Sequence, residues 1–294
     1  MFTLAPANPA RNDLEWCWFL RGFGKAGDAI ERALYKIGVM DHTGWARWKH
    51  SALTETGAPV AVRFSTHDQA LSIITEVENP AQDPKTRLAI ACKMITALGG
   101  EAPETPFREV ISAAQGSSPL TFGARLGLRH DNDALHLTLY VELPEGASDM
   151  SGLLTHSRIG DDNAADQNVT MLAYDVQTKH VSLFSIPDAE TLTQLPIVCT
   201  SKQPIAIRRK LGAEDTAYKV IQNDIRSADT EVLAQLTSLE QRVLQRHPCL
   251  IEHLQTTIPD AAFRGDIWVS EQNDGQTELT FDIAAPWIGS DQPY

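Results

Sequence analysis

The stretch Leu120–Pro144, LTFGARLGLRHDNDALHLTLYVELP, contains two alternating runs on either side of a polar turn at Asp131–Asp133. In the second run, leucine or valine occupies every other position from Leu135 to Leu143, with polar or aromatic residues between them. Successive side chains of a strand point to opposite faces, so this pattern predicts a β-hairpin with one apolar face. The other face carries hydroxyl, imidazole, guanidinium and phenol groups. Such a face is equally compatible with exposure to solvent and with lining a water-filled cavity.

The same alternation occurs at other places in the chain. It predicts hairpins over Pro59–Pro80, Val169–Pro187 and Arg264–Pro286, and a further strand over Gln203–Lys210. The last hairpin turns at Asn273-Asp274-Gly275, and an Asp-Gly pair between alternating residues is a strong hairpin signal. The strand HVSLF in the third hairpin repeats the form of HLTLY in the central one.

Segments with apolar residues at helical spacing separate these hairpins. One helix is expected to begin after Asp83 and Pro84, which suit a helix N-terminus, and to end at Gly99. The other predicted helices are Asp13–Gly38, as one helix or a pair, Phe107–Gly116, and Asp215–His247, either continuous or broken near Ser227–Asp229.

The order of these elements predicts the fold class. Helices alternate with antiparallel strand pairs and not with single strands, which argues against a doubly wound parallel sheet. An α+β fold is expected, with helices on the apolar face of one antiparallel sheet. If about ten strands close into a barrel, no edge is left and the polar faces line a lumen. Residues 1–294 are expected to form a single domain of this kind.

Composition argues against several classes of partner. A net charge of −13 disfavours broad nucleic-acid binding and attachment to an anionic membrane surface. The four cysteines are scattered without disulfide or zinc spacing, which is typical of a reducing compartment. No uncharged run approaches about 18 residues and the N-terminus has no signal-peptide core, so a cytoplasmic protein is expected. Monomer and homodimer are both compatible with the sequence.

Two short motifs have structural explanations. Gly22–Gly27 satisfies the dinucleotide-binding pattern GxGxxG, but a hairpin follows where a parallel strand is needed, which favours a helix broken by glycine. His247, Cys249 and His253 are metal-ligand types at the end of a predicted helix. Because no second ligand pair accompanies them, a capped helix with a buried thiol is favoured and no metal site is predicted.

Cofactor signals are sparse. Gly146–Gln167 is predicted to be a polar loop, in which Asp161, Asp162 and Asp166 are either solvated or bind Mg²⁺ together with a diphosphate. No Gly-x-Ser-x-Gly elbow, kinase motif or P-loop is present, so hydrolase and phosphotransferase functions have no support.

The element order and the repeated x-Leu-x-Leu-Tyr strand resemble the ABBA-type aromatic prenyltransferases. Ala58–Pro80, Phe122–Pro144, Val169–Pro187 and Arg264–Pro286 correspond to successive strand pairs of that family. The resemblance implies a PT barrel: a closed antiparallel barrel of about ten strands, ringed by helices in repeated α-β-β-α units. It also implies a transferase of secondary metabolism that moves a prenyl group from a prenyl diphosphate to an aromatic or peptide acceptor.

Family members carry Lys-x-Tyr on lumen strands, where the cation holds the diphosphate and the tyrosine shields the allylic cation. Here Thr138-Leu-Tyr140 has the tyrosine without the lysine, and Ser182-Leu-Phe184 has only an aromatic ring. The fungal indole-modifying branch has a Pro-Ile-Glu-Phe-Ser run whose carboxylate is thought to accept the indole proton. Pro59–Ser65 resembles that run, with Arg63 near the place of the carboxylate. A diphosphate would therefore need other cations.

The candidate site residues lie on the non-apolar positions of the strands. Basic residues are predicted to bind the diphosphate: Arg63, Arg125, Arg129, Arg208 and His180. Aromatic residues are predicted to stabilise the cation and stack on the acceptor: Tyr140, Tyr174, Phe184 and Trp268. Tyr140 and His136 are predicted to be catalytic, and Glu142, Glu278 or Asp282 to accept the proton.

Other interpretations of the same residues stay open. The arginines could form ordinary ion pairs on an exposed sheet face, and the aromatic residues could serve sheet packing. The fold is also compatible with a non-prenyl reaction, such as a cyclisation or condensation, or with a non-catalytic carrier of a hydrophobic small molecule. Convergence of the polar positions would favour an enzyme over a carrier.

Overall fold

A computed structural model describes residues 20, 24–39, 48, 51–53, 59–65, 71–131, 134–144 and 169–186, and the backbone of strands between residues 206 and 283. Side chains are described up to residue 186, except those of residues 64 and 65. The predicted loop Gly146–Gln167 with its aspartate cluster lies outside the described residues. So do the Asn273-Asp274-Gly275 turn and the segment His247–His253.

Antiparallel strands form the centre of the molecule. Their bounds are β1 Val60–Ser65, β2 Leu71–Glu76, β3 Ala124–Asp131, β4 Ala134–Glu142, β5 Val169–Asp175, β6 Val181–Ser185, β7 Ala206–Lys210, β8 Thr216–Gln222, β9 Gly265–Glu271 and β10 Thr277–Ile283. They pair in the order β1-β10-β9-β8-β7-β6-β5-β4-β3-β2, and β1 also pairs with β2, which closes the sheet. All of the predicted hairpins have their two strands in these positions.

The described helices are α1 Lys25–Lys36, a 3₁₀ turn at Pro84–Thr86, α2 Arg87–Ala97 and α3 Thr105–Gln115. The carboxylate of Asp83 accepts a hydrogen bond from the Lys85 N–H at 3.0 Å, which caps the turn that leads into α2. After α2, Gly99 adopts a φ of 90°. The predicted start at Asp83 and end at Gly99 are therefore confirmed.

Helices cover one face of the sheet, here called the outer face. Alternate residues of the central hairpin, such as Leu126, Leu139 and Val141, are fully buried there. They belong to the same apolar cluster as Ile30 of α1 and Ile95 of α2. Burying a leucine or isoleucine side chain contributes roughly 1.5–3 kcal/mol, so this layer is the main source of stability. The predicted antiparallel sheet with helices on its apolar face is confirmed.

One predicted helix is partly wrong. The prediction placed a helix over Asp215–His247, but Thr216–Gln222 forms β8, which pairs with β7 and β9. Thr, Tyr, Val and Ile in TAYKVIQ favour an extended chain, and strands on both sides satisfy its backbone. The rest of the predicted helix lies outside the described residues.

Only part of the Gly22–Gly27 motif lies in the described residues. That part leads into α1, and Leu20, two residues before the motif, is helical. This agrees with the predicted helix break. Among the described helices, none combines the length and the apolar character that a membrane crossing requires.

Candidate active site

The polar candidate residues of β1, β3 and β4 lie on the face opposite the helix-covered core, here called the inner face. Strand register connects them. In β3 and β4, Arg125 pairs with Tyr140, Gly127 with Thr138, and Arg129 with His136. Because paired residues of an antiparallel sheet share a face, the candidates of neighbouring strands are brought together.

Four residues form a row across β1–β4, here called the basic row. Arg63 pairs with Ser72, Ser72 with Arg129, and Arg129 with His136. The Arg129 side chain is 43% exposed, and its guanidinium donates to the Asp131 carboxylate at 3.3 Å. The basic row is therefore accessible to solvent and concentrates cationic and imidazole groups in a protein of net charge −13. Three of the predicted residues, Arg63, Arg129 and His136, meet here.

Toward the other end of β3, a buried ion network forms around Glu76, here called the Glu76 network. Arg125 donates through Nε and Nη2 to Glu76 Oε1, at 2.9 and 2.8 Å. Arg87 of α2 donates to Glu76 Oε2 at 3.1 Å, and the Ser51 hydroxyl donates to Oε1. The side chains of Glu76 and Arg87 are each only 1% exposed.

This network determines the role of Arg125. Its guanidinium is held by Glu76 and lies 4.1 Å from the centroid of the Phe122 ring. Burial lowers the pKa of the Arg87 guanidinium, Glu76 opposes that change, and Arg125 adds to it. Arg125 was predicted to bind a diphosphate, but the structure places it in an internal ion network. Neither Glu76 nor Arg87 was predicted as a site residue, although the polar parity of β2 could have identified Glu76.

An apolar cluster separate from the main core lies on the inner face of β4–β6, here called the aromatic patch. It consists of Tyr140, Met171, Ala173 and Phe184. The Tyr140 and Phe184 rings are edge-to-face, with centroids 6.3 Å apart. This arrangement places two aromatic rings in contact on the same face as the basic row. The structure thus brings together two of the predicted cation-shielding residues.

Glu142 is at the end of β4, and its carboxylate is occupied. It accepts hydrogen bonds from the backbone N–H groups of Thr121, Phe122 and Gly123, at 2.8, 2.6 and 2.7 Å. Gly123 has a φ of 64°, and a Cβ there would lie 2.0 Å from the Pro84 carbonyl oxygen. The carboxylate therefore fixes a tight loop, which is a structural role that strand parity alone did not predict.

Two other predicted ligands lie away from these groups. Tyr174 is on the outer face, where its ring contacts Phe107 of α3 at a centroid distance of 5.0 Å. Burial raises the pKa of its phenol. Tyr174 therefore belongs to the core, because it shares the strand face of Leu172 and lies opposite Leu139, on the side covered by helices. His180 is exposed in the turn before β6, where its backbone N–H donates to the Thr178 hydroxyl.

For β7–β10 the register gives positions only. Arg208 lies opposite Phe184, and Trp268 opposite Lys219 and Thr280. Asp282 lies opposite Arg63, in line with the basic row. Lys219 was not considered as a cation at the sequence level because its segment was predicted to be helical. Its side chain, like those of Arg208 and Trp268, lies outside the described part of the structure.

Metal binding has no geometric support in the described residues. Among them, no group of three or more His, Cys, Asp or Glu side chains is arranged to hold an ion. Cys92 is a buried free thiol in α2, and burial raises its pKa. The predicted Mg²⁺ alternative at Asp161, Asp162 and Asp166 is outside this part of the chain.

Comparison with known proteins gives a likeness of fold. No protein-family model matches the chain, and no match was found among curated proteins. The 5-dimethylallyl tryptophan synthase from Streptomyces coelicolor in complex with DMASPP and Trp superposes with a TM-score of 0.69 at 11% identity, over 99% of this chain and 98% of that one. AnaPT from Neosartorya fischeri gives 0.58 at 10% identity, over 96% and 95%. NotF in complex with brevianamide F and DMSPP gives 0.57 at 13% identity, over 96% of both chains.

These neighbours are ABBA-type aromatic prenyltransferases. Their structural similarity extends over nearly the whole chain, whereas sequence identity is only 10–13%. The resemblance inferred from the sequence is thereby confirmed at the level of architecture. The chain has the fold of the aromatic prenyltransferases.

Proposed function

We propose that the protein transfers a prenyl group from a prenyl diphosphate to an aromatic small molecule. The observation that carries this proposal is the division of the inner face into a basic row and an aromatic patch. His136 and Tyr140 are four residues apart on β4, a distance of roughly 13 Å along the strand. A diphosphate head at the basic row can therefore extend its prenyl tail toward the aromatic patch.

The basic row supplies the anion site in this proposal. Guanidinium groups form charge-assisted, bidentate hydrogen bonds with phosphate oxygens, and Arg63 and Arg129 lie on either side of Ser72 in the ladder. A local concentration of cations in an acidic protein attracts a diphosphate. Arg129 replaces Arg125 as the main expected ligand on β3, since Arg125 is held by Glu76. Arg208 and Lys219 are further candidates by register.

The aromatic patch supplies the environment for bond cleavage. The C–O bond between the prenyl carbon and the diphosphate breaks, and the diphosphate leaves with the bonding electrons. The allyl cation is stabilised by the π-faces of Tyr140 and Phe184, and a carbon of the aromatic acceptor attacks it. Loss of a proton from that carbon restores aromaticity.

The proton acceptor in this proposal is His136. The inner-face carboxylates among the described residues are all engaged: Glu76 by arginines, Glu142 by backbone N–H groups, Asp131 by Arg129, and Asp175 by the Thr178 N–H at 2.6 Å. Within the same part of the chain, the His136 imidazole forms no hydrogen bond. Glu278 and Asp282 are the alternatives on β10.

The test combines binding and turnover. The purified protein is titrated with pyrophosphate and with dimethylallyl, geranyl and farnesyl thiodiphosphates, with and without Mg²⁺. Incubation of the true diphosphates with indole, phenol and tryptophan-containing peptides is followed by mass spectrometry of the products. Arg129→Gln is expected to weaken binding at least about tenfold, because a charge-assisted hydrogen bond is lost. Arg108→Gln on α3 is the matched control and is expected to bind normally.

The outcomes separate the candidate functions. A prenylated product that depends on Arg129 and His136 supports the transferase. Thiodiphosphate binding without product from any acceptor would favour a carrier of hydrophobic molecules. Absence of binding by the wild-type protein would reject prenyl transfer and favour a different reaction in the same fold. Position 138 is threonine where the Lys-x-Tyr pattern has lysine. The missing cation is the specific reason to consider this last outcome.

A further inference from the structure

Gly127 occupies an unusual place on the inner face. It lies between the two arginines of β3, and a Cβ at this position would come within 2.8 Å of Cε2 of Tyr140 and 3.3 Å of Cβ of Thr138. Carbon atoms in good contact are about 3.5–4.0 Å apart, so no side chain fits there with the ring in its present place. The Tyr140 ring therefore lies directly over the backbone of β3.

The opposite side of the same ring is also bordered by a small residue. Tyr140 pairs with Ala173 of β5, and Ala173 packs with Phe184 in the aromatic patch. The ring is thus flanked by glycine on one strand and alanine on the other, while Phe184 meets it edge-to-face. The contact with β3 therefore determines how closely the Tyr140 ring approaches Ala173 and Phe184.

We propose that Gly127 positions the Tyr140 ring and thereby sets the size of the hydrophobic group that the aromatic patch accepts. In this proposal, a methyl group at residue 127 pushes the Tyr140 ring toward Ala173 and Phe184 and leaves less room for a hydrophobic group at the aromatic patch. Gly127 is a positioning residue, since it acts through Tyr140. That the hydrophobic group is a prenyl chain rests on the proposed function. The displacement of the Tyr140 ring rests on geometry alone.

The chain offers a matched control at Gly100. A Cβ there would lie 3.0 Å from side-chain atoms of Ile95, Leu137 and Val176, which belong to the outer core. Gly100→Ala therefore introduces a comparable steric conflict on the opposite face of the sheet. Any effect of Gly127→Ala that Gly100→Ala also produces reflects general destabilisation.

The first measurement needs no ligand. The protein contains five tyrosines, so labelling with 3-fluorotyrosine gives a small set of ¹⁹F resonances, and Tyr140→Phe assigns one of them. Gly127→Ala is expected to move the Tyr140 resonance, and Gly100→Ala is expected to leave it in place. An unmoved resonance in Gly127→Ala overturns the proposal.

The second measurement is calorimetric titration with pyrophosphate and the three thiodiphosphates. In Gly127→Ala, pyrophosphate binding is expected to stay within twofold of wild type, while the longest prenyl chain loses about tenfold, in line with the cost of overpacking. In a Tyr140→Ala background, Gly127→Ala should have no further effect on chain-length preference. A uniform loss for all ligands, pyrophosphate included, contradicts the role in size selection.

The two proposals fail differently. If the wild-type protein binds no thiodiphosphate, prenyl transfer is rejected and the assignment of the patch as a prenyl site is rejected with it. The ¹⁹F comparison then still decides whether Gly127 positions the ring. If wild type binds but Gly127→Ala keeps its preference for chain length, the function stands and the role of Gly127 is wrong.

Discussion

Each end of the inner face carries an arginine, but one is buried in an ion network and the other is exposed. Arg125 and Arg129 are four residues apart on β3 and share one strand face. The side chain of Arg125 is 10% exposed and held by a carboxylate that is itself 1% exposed. That of Arg129 is 43% exposed, and its aspartate partner is 32% exposed. At one end the guanidinium serves the fold, and at the other it is accessible to an anion.

This difference shows that parity and residue type do not by themselves identify a binding residue. A buried guanidinium must be matched by a carboxylate, because an uncompensated charge away from water is costly. An accessible guanidinium is hydrated and can exchange water for a ligand. The comparison therefore predicts unequal consequences when equivalent groups are removed from the two ends.

The largest effect is expected for Glu76→Gln. This change removes the charge that Arg87 and Arg125 share and leaves two cations in a buried setting. Removing one partner of a buried ion pair typically costs about 3–5 kcal/mol of unfolding free energy. Urea denaturation measures this loss of unfolding free energy. The control is Glu101→Gln, which breaks the exposed ion pair with Lys179 and is expected to change nothing measurable. Equal midpoints for the two variants would show that the Glu76 network contributes little.

A smaller but more diagnostic difference in the free energy of unfolding is expected between Arg125→Gln and Arg129→Gln. The first should lower the free energy of unfolding by about 2–3 kcal/mol, because charged hydrogen bonds to a buried carboxylate are lost. The second should change it by less than about 1 kcal/mol, because exposed ion pairs contribute little. Denaturation and pyrophosphate titration on both variants check the pair. If Arg125→Gln abolishes pyrophosphate binding while the protein stays folded, Arg125 binds the anion and its assignment to a structural role is wrong.

The smallest effect on stability is expected at Tyr174, a buried residue of the outer face that lies away from the proposed site. Burial raises the pKa of its phenol, helped by Glu101, Glu104 and Asp175 and opposed by Lys179. A raised folded-state pKa means that the stabilisation is present below the unfolded value of 10.0 and is lost as pH rises through the folded value. Tyr174→Phe is therefore expected to flatten the loss of stability above about pH 10.

Denaturation series at neutral pH and at alkaline pH measure that slope, with Cys92→Ala as a second variant because burial also raises the pKa of that thiol. Ligand binding should be unaffected by Tyr174→Phe. Weakened thiodiphosphate binding in this variant would place Tyr174 in the site after all.

Local periodicity predicted much of the fold. The alternation in Leu120–Pro144 specified β3, β4 and the face that packs on helices, because a strand buries every second side chain. It failed over Thr216–Gln222, where a segment with strand propensity was assigned to a neighbouring helix. These seven residues lie at the start of a longer predicted helix, and so short a pattern does not separate the strand period from the helix period.

For the site, the sequence determined which residues share the inner face, since parity follows from the alternation of a strand. Arg63, Arg129, His136, Tyr140 and Phe184 were identified in this way. Tertiary structure alone decided what each one contacts. Glu142 is engaged by a loop 19 to 21 residues earlier in the chain, and Arg125 by a carboxylate 49 residues away. Such long-range pairings depend on how strands and helices pack, and no local pattern encodes them.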